Sequence, residues 1–534
     1  MANVKYIRIL YSFLKKGFRD FWEIRAYSKF FKNIKYPEPH RGKILMYTGI
    51  PMMYMTPFEI LLYHLLKLKG YDVHYCIYDE NIRINELITN KIVTAGQARK
   101  FWKRVISDGT RRLIASKVEY KTIVANEEVA KLLTSLDGDV STYFNYEYDG
   151  IHFGKIVEGT VFRFFKSLSL GSDSSEVARQ VLETSLINYF FAKELTAQNK
   201  YEYVFCSHGI YCTWEPVILH FKNLGISQIC YDRGKKKNTI NINLNRPAPN
   251  WDISEAWSRL ENYTLSSTEN EQVDAYYAQR ELQKNDVYSY NAKKKSADLD
   301  LLRNELGINK DAKVITIFTN LIWDAANIAR DIAFESPLRC IEQTINRYLD
   351  TQNIHIIVRS HPAESVLGTD QGYCALVKEM FDEIPANVSL IEPEQKINSF
   401  SIIDISDIGI VHTSTVGLEM AMSGKPVILI SDTHYRDKGF TFDAENENHY
   451  FELLDSFLQK SVDMRMIVHL ARKYFYLMMF EYQHDVPILY NKDNSFSGFT
   501  HANIKSLIDQ EEERIIKIVD RVSSNAEYDD FIFR

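Results

Sequence analysis

Short apolar runs alternate with helical patterns twice along this 534-residue chain, and no other feature constrains the fold as tightly. In the first series KILMYTGI reads as a strand, TPFEILLYHLLKLKG as a helix ending at Gly70, and YDVHYCIYD as a strand. YEYVFCSHG, TWEPVILHFKNLG and ISQICYDRG repeat the pattern further on. In the second series AKVITIFTN, NIHIIVRSHPAE, NVSLIEP, DIGIVHTS and KPVILIS are strand-like, with helical text between them. A helix joining successive strands makes them parallel and lays helices on the sheet faces. The expected fold class is therefore α/β, with two Rossmann-like doubly wound domains facing across a cleft. Ligands of such sheets bind just beyond the carboxyl ends of the strands.

A chain of 534 residues is too long for one core. The pattern predicts a basic amphipathic segment over 1–42 and a first Rossmann-like domain over 43–261. A helical linker over 262–312 leads to a second Rossmann-like domain over 313–460, and C-terminal helices fill 461–534. Residues 85–200 read as largely helical and carry little strand signal. In the first helix Thr56 reads as a cap, Pro57 suits the first helical position and Glu59 closes a capping box, which leaves Glu59 no part in a site.

The net charge of −6 argues against a nucleic-acid partner. The six cysteines include no Cys-x-x-Cys pair and read as reduced thiols of a cytoplasmic protein; Cys206, His208 and Cys212 match no common zinc spacing. No signal peptide is evident, and no segment approaches the ~20 apolar residues of a spanning helix. The first 41 residues differ from the rest: ten Lys or Arg stand against three acids, interleaved with Ile7, Leu10, Phe13, Leu14, Phe18, Phe21 and Trp22. A helix of that kind suits an anionic membrane surface, as a peripheral protein on the inner face of the cytoplasmic membrane would need. Packing of the same helix on its own domain is an equal alternative.

Three strand ends of the second series carry polar residues. The first ends in Thr319 and Asn320, with Trp323 and Asp324 close behind; the second in Arg359, Ser360, His361 and Pro362; the third in His412, Thr413, Ser414 and Thr415. The third runs into a helix, where unpaired backbone N–H groups and small hydroxyl residues favour phosphate. Gly417 keeps that first turn uncluttered, and Glu419, one turn on, is placed to accept from ribose hydroxyls. Arg359 offers a fork of donors to the same phosphate, and Pro362 holds His361 at its strand end. A plain N-cap without any ligand reads the same way in sequence.

The stretches WDAANIA, VRSHPAE, VHTSTVGLEMAMSGKPVI and YRDKGFTF together resemble the capsular polysaccharide biosynthesis family, which includes capsule Kdo transferases and is related to polysialyltransferase-like enzymes. SHGIYCTWEP and CYDRGKKKNT extend the resemblance over about residues 200–455. The resemblance implies a GT-B glycosyltransferase that binds a nucleotide sugar mainly through its second domain, with no cofactor and no catalytic metal ion. It also implies that His361 and the Thr413, Ser414 and Thr415 run contact the nucleotide phosphate.

Glycosyl transfer needs a base or a carboxylate nucleophile in addition. Asp232, closing the strand ISQICYDRG, is the leading candidate, with Arg233 and Lys235 as cations for an acceptor or phosphate. A turn aspartate paired to lysines is the alternative. Glu158 and Asp149, each before a glycine, come next, and His208 is placed to orient substrate or carry a proton. The expected activity is transfer of a sugar, Kdo or another acidic sugar on a CMP carrier by resemblance, to a glycan or lipid-linked acceptor. A CDP-glycerol-type polyol-phosphate transferase, a UDP-sugar epimerase and a non-catalytic export scaffold are the alternatives.

Overall fold

The computed structural model describes residues 19–52, 54–79, 84–89, 95–136, 138–282, 295–296, 298–349, 351–491, 495–510 and 519. Most of the basic N-terminal pattern, up to residue 18, lies outside the described residues, as does most of the C-terminal segment beyond residue 510. The described chain divides into two compact units. One is drawn from residues 1–160, 173–250 and 482–534, the other from 161–172 and 251–481.

The first unit is built on a seven-stranded sheet. Six of its strands are β1 (Lys43–Gly49), β2 (Asp72–Tyr78), β3 (Tyr120–Ile123), β4 (Tyr201–Ser207), β5 (Ser227–Arg233) and β6 (Thr239–Leu244); the seventh comes from the C-terminal part of the chain. β1 to β5 are parallel, in the order β5-β4-β1-β2-β3, and β6 returns antiparallel to β5. The near-continuous burial of β1 reflects helices on both faces, as parallel sheets require.

The second unit carries six parallel strands: β7 (Lys313–Phe318), β8 (Ile354–Arg359), β9 (Val388–Ile391), β10 (Ile408–Val411), β11 (Val427–Leu429) and β12 (Phe442–Asp443). Their order is β12-β11-β10-β7-β8-β9. Ile315, Ile317, Ile356, Val358, Ile408 and Ile410 alternate along the three central strands. They form one core with Cys340, Ile341 and Ile345 of the helix Pro337–Arg347 and with Tyr450 and Leu454 of the helix Glu447–Gln459.

The described residues of the segment read as a helical linker group with this second unit. The helix Ser267–Glu281 opens on a capping box between Ser266 and Glu269 and presents Tyr277 to Ser423 (2.9 Å). The described residues of the tail combine helices with short strands. After the helix Arg465–Tyr476 the chain returns to the first unit as β13 (His484–Asp485), antiparallel to β6. A small antiparallel pair follows, β14 (Ile488–Tyr490) and β15 (Phe496–Phe499), and then the short helix Ile504–Gln510.

Residues 19–30 are helical. They pack on the helix Ala95–Ala115 through a buried ion pair, Glu23 with Arg112 at 2.7 Å. Phe21 and Trp22 remain 57 % and 60 % exposed, edge to face, with the Arg25 guanidinium 5.5 Å from the Trp22 ring. One face of the helix thus packs on its own unit, and the other leaves two aromatic rings exposed.

Candidate functional site

In the second unit the chain leaves β7 toward β8 and β9 on one side, then crosses to β10 on the other. Strand order reverses between β7 and β10, and at such a point the connecting loops part and leave a crevice at the carboxyl edge. Asn320, two residues past β7, and Thr413, two past β10, meet there: Asn320 Nδ2 donates to Thr413 Oγ1 at 2.9 Å. Thr413 Oγ1 donates to Asn327 Oδ1 at 2.7 Å, and Asn320 Nδ2 reaches the same oxygen at 3.2 Å. Asp324 caps the single turn Ala325–Asn327 by accepting from the Ala326 N–H, which sets Asn327 in place. His412 lies beneath, its Nε2 3.0 Å from Asp331 and its Nδ1 3.4 Å from Thr413 Oγ1. Asn327 and Asp331 escaped the sequence reading; the one signal for Asn327 was its side-chain amide in WDAANIA, shortly after Asn320 at a strand end.

His361 and Pro362 stand at the end of the neighbouring β8. His361 Nδ1 accepts from the Ala363 N–H at 3.1 Å, which assigns the ring proton of the neutral imidazole to Nε2. Pro362 has helical angles and starts the helix Ala363–Leu367. Arg359 does not offer the expected fork of donors. Its guanidinium is buried and donates to the carbonyls of Glu392 (3.0 Å) and Ile397 (3.4 Å), stitching the exit of β9 to β8. Burial pulls its pKa down to about 10.

The helix start after β10 also departs from the expectation. The helix Val416–Met422 has seven residues, and its first N–H groups turn back on the loop: Val416 to Ser414 Oγ, Gly417 to Ser414 O and Leu418 to Thr415 O. Gly417 serves a neighbour rather than ligand access, since a Cβ there would lie 2.6 Å from the Tyr435 hydroxyl, which donates to Ser414 O. Glu419 is buried and held by Arg280 at 2.7 Å, so its carboxylate is already committed to a cation. Ser414 and Thr415 remain half-buried at the sheet edge beside Thr413.

In the first unit the reversal lies between β1 and β4, and His208 follows β4 directly. His208, Gly209 and Tyr211 all have positive φ (62°, 90° and 69°), and a Cβ on Gly209 would press on Cys230 and Pro247. Such conformations in non-glycine residues store strain and gather at functional sites. The turn brings His208 Nε2 to 3.7 Å from Asp232 Oδ2 at the end of β5, with both side chains about a quarter exposed. Trp214 stacks on the imidazole with centroids 5.3 Å apart. Asp232 Oδ1 accepts from the Arg233 N–H (2.6 Å), the Arg233 guanidinium lies over Tyr54, and the Lys235 N–H is tied to Gln483. Chemically, this is an accessible carboxylate with an imidazole beside it.

The other first-unit candidates are placed differently. Glu158 is half-buried on the helix Phe153–Phe165, and burial raises its pKa. Asp149 sits in a left-handed turn and is bonded to Tyr189 and Lys193, which lower its pKa. Glu59 overturns the capping-box reading. Thr56 Oγ1 donates back to Met52 O, Met55 takes the cap position, and no side-chain cap forms. The Glu59 carboxyl is wholly buried instead, accepting from Tyr75 (3.2 Å) and Tyr231 (3.3 Å). Burial pushes its pKa up to about 8. Among the described residues no cluster of three or more His, Cys, Asp or Glu is arranged to hold a metal ion, and all six cysteines are buried and free.

No curated protein matches the sequence. Among solved structures, a beta Kdo 2,4 transferase, KpsC of Thermosulfurimonas dismutans, aligns at 14 % identity over 59 % of this chain and 87 % of its own, with a TM-score of 0.35. The beta Kdo 2,7 transferase of the same KpsC aligns at 14 % identity, 67 % and 96 % coverage, and a TM-score of 0.33. A UDP-GlcNAc 2-epimerase from Neisseria meningitidis, bound to UDP-GlcNAc, aligns at 12 % identity, 82 % and 99 % coverage, and a TM-score of 0.24. Residues 255–478 match a protein family as well, and the match takes in every second-unit strand end described above. Over that span the chain is similar to the capsule polysaccharide biosynthesis protein family.

Proposed function

We propose that this protein is a glycosyltransferase of capsule polysaccharide synthesis, moving a sugar from a nucleotide donor to a glycan or glycolipid acceptor. The observation that carries the reading is the meeting of Asn320, Asn327 and Thr413 at the reversal point of the second sheet, with His361 on the next strand. Such a ring of amide and hydroxyl groups suits the hydroxyls and phosphate of a nucleotide. His361 Nε2–H, Ser414 and Thr415 are the further donors, and Asp324 and Pro362 hold the two loops. A CMP-linked acidic sugar such as Kdo is the donor class put forward, with no metal ion and no cofactor beyond the nucleotide sugar.

Asp232 is the proposed reacting carboxylate, as nucleophile or as base for the acceptor hydroxyl, with His208 beside it to move or hold the proton. Glu158 is the second choice for either task. Arg233 and Lys235 are assigned to the acceptor or its phosphate. The exposed Phe21–Trp22 pair and Arg25 suit a cytoplasmic enzyme held at an anionic membrane surface, where a lipid-linked acceptor would be met. No helix among the described residues is long and apolar enough to cross a membrane.

The test is a thermal-shift and calorimetry panel of CMP, CDP, UDP and GDP, followed by turnover with the matching donors. Thr413→Val should weaken nucleotide binding about tenfold, the scale of a lost hydrogen bond to a charged group. Asp232→Asn should bind nucleotide normally and lose at least about a thousandfold in turnover, the scale of removing a reacting group. Nucleotide affinity untouched by Thr413→Val would refute the binding site, and normal turnover by Asp232→Asn would refute the catalytic one.

A further inference from the structure

Arg359 is committed to backbone carbonyls, so β8 does not present the cation expected of it to the carboxyl edge of the second sheet. We infer that Lys166 fills that role, as a phosphate-contacting residue of the second unit contributed by a segment from the first half of the chain. The inference rests on the reading of that edge as a nucleotide site and adds a residue to it.

Residues 161–172 belong to the second unit, although the chain on either side of them belongs to the first. The segment is pinned beside the exit of β8. The Asp370 N–H donates to Lys166 O at 3.0 Å, Ser169 Oγ to Gln371 Oε1 at 2.7 Å, and Phe162 packs on the second unit's core. Trp323 joins this patch to the β7 loop, since its Nε1 donates to Thr369 Oγ1 at 2.8 Å. Trp323 itself lies between Asn320 of the binding ring and Asp324, the cap that positions Asn327.

Lys166 has a left-handed backbone (φ 57°) and places its Nζ 3.4 Å from the centroid of the Trp323 ring. The Arg163 guanidinium lies 5.7 Å from the same ring. Lys166 is 6 % exposed, and among the described residues its ammonium forms no ion pair with a carboxylate. Burial first, then Arg163, pulls its pKa down to about 7, while Asp324 acts the other way. A strained backbone and a desolvated ammonium beside a second cation are together unfavourable, and an aromatic face offsets only ~0.5–2 kcal/mol of that. An anion seated against Asn320 and Thr413 would supply the missing counter-charge. The chemistry selected is a phosphate or diphosphate, since Trp323, Lys166 and Arg163 offer it cations on an apolar support.

The experiment titrates full-length wild type, Lys166→Met and Lys166→Arg with CMP, CDP, UDP and GDP, and with cytidine, uridine and guanosine as phosphate-free controls. Lys166→Met should weaken the best-bound nucleotide tenfold or more and leave its nucleoside unchanged, and Lys166→Arg should recover most of the loss. Nucleotide affinity equal to wild type in Lys166→Met overturns the inference and leaves the binding site standing, as does an equal loss for nucleotide and nucleoside. Should Lys166→Met fail to fold, Lys166→Gln takes its place: a tenfold loss for the nucleotide with the nucleoside unchanged supports the inference, and wild-type affinity for both overturns it. Wild type that binds no nucleotide overturns both readings together.

Discussion

Glu59 should make the first unit less stable as pH rises. Its carboxyl is fully buried under the strand ends of the first sheet, with Tyr75 and Tyr231 donating to it. Burial raises its pKa from 4.5 to about 8. A group whose pKa is higher folded than unfolded stabilises the fold fully below the unfolded value and loses that contribution as pH rises through the folded one. Between pH 4.5 and 8 the loss is up to about 1.4 kcal/mol for each pH unit, and it levels off above that range. Glu59→Gln imitates the protonated acid in size and in having both a donor and an acceptor. Urea midpoints of the two proteins, followed by first-unit fluorescence at pH 5, 6, 7 and 8, should therefore diverge, with the variant gaining on wild type at each step. Parallel curves over that range would show that Glu59 is ionised in the fold, and the assignment of a neutral buried acid would fail.

Two further expectations test the frame around the sites. Arg280→Met should destabilise the second unit by about 3–5 kcal/mol, because it strands the buried Glu419 carboxylate, whereas Arg280→Met with Glu419→Leu should recover most of that loss in the same denaturation assay. Phe21→Ser with Trp22→Ser should lower co-sedimentation with anionic vesicles while leaving nucleotide affinity unchanged; equal sedimentation by variant and wild type would leave the helix only its packing role.

Strand and helix alternation made both sheets legible, because a parallel strand covered on two faces must be a short apolar run. β3 and β6 escaped for opposite reasons. β3 is four residues long and carries Lys121 in its middle. β6 alternates Ile240, Ile242 and Leu244 with Thr239, Asn241 and Asn243, polar text that reads as loop. Those asparagines are buried because they donate to the carbonyls of Pro247 and Ala248 in the turn beyond, a partner no local pattern reveals. The capping box at Thr56 failed similarly. Its spacing is right, yet Thr56 bonds backwards and Glu59 finds tyrosines from β2 and β5. Polar strand ends in the second unit were legible as a set, since parallel register places them side by side. What Arg359 and Glu419 do with their charges was not, because each is met by residues remote in sequence: carbonyls past β9 for Arg359, Arg280 for Glu419.

Each sheet ends in a histidine paired with an aspartate beside its reversal point, and exposure separates their tasks. His412 is 7 % exposed and lies between Asp331 and Thr413, so its imidazole is covered by the ring it supports. A histidine in that position fixes a hydroxyl's orientation and has no approach for a reacting oxygen. His208 and Asp232 are 22 % and 24 % exposed, 3.7 Å apart rather than closely bonded, and set on a turn with three positive φ values. A separation of that length leaves a proton shared between imidazole and carboxylate only once something moves closer or a hydroxyl bridges them. An acceptor hydroxyl entering between the two would complete the contact that the resting geometry leaves long. The proposed roles therefore give binding to the buried pair and chemistry to the open one. His412→Asn should therefore weaken nucleotide binding with little change in turnover at saturation, while His208→Asn should lower turnover and leave binding intact. The reverse outcome would exchange the roles of the two sheets.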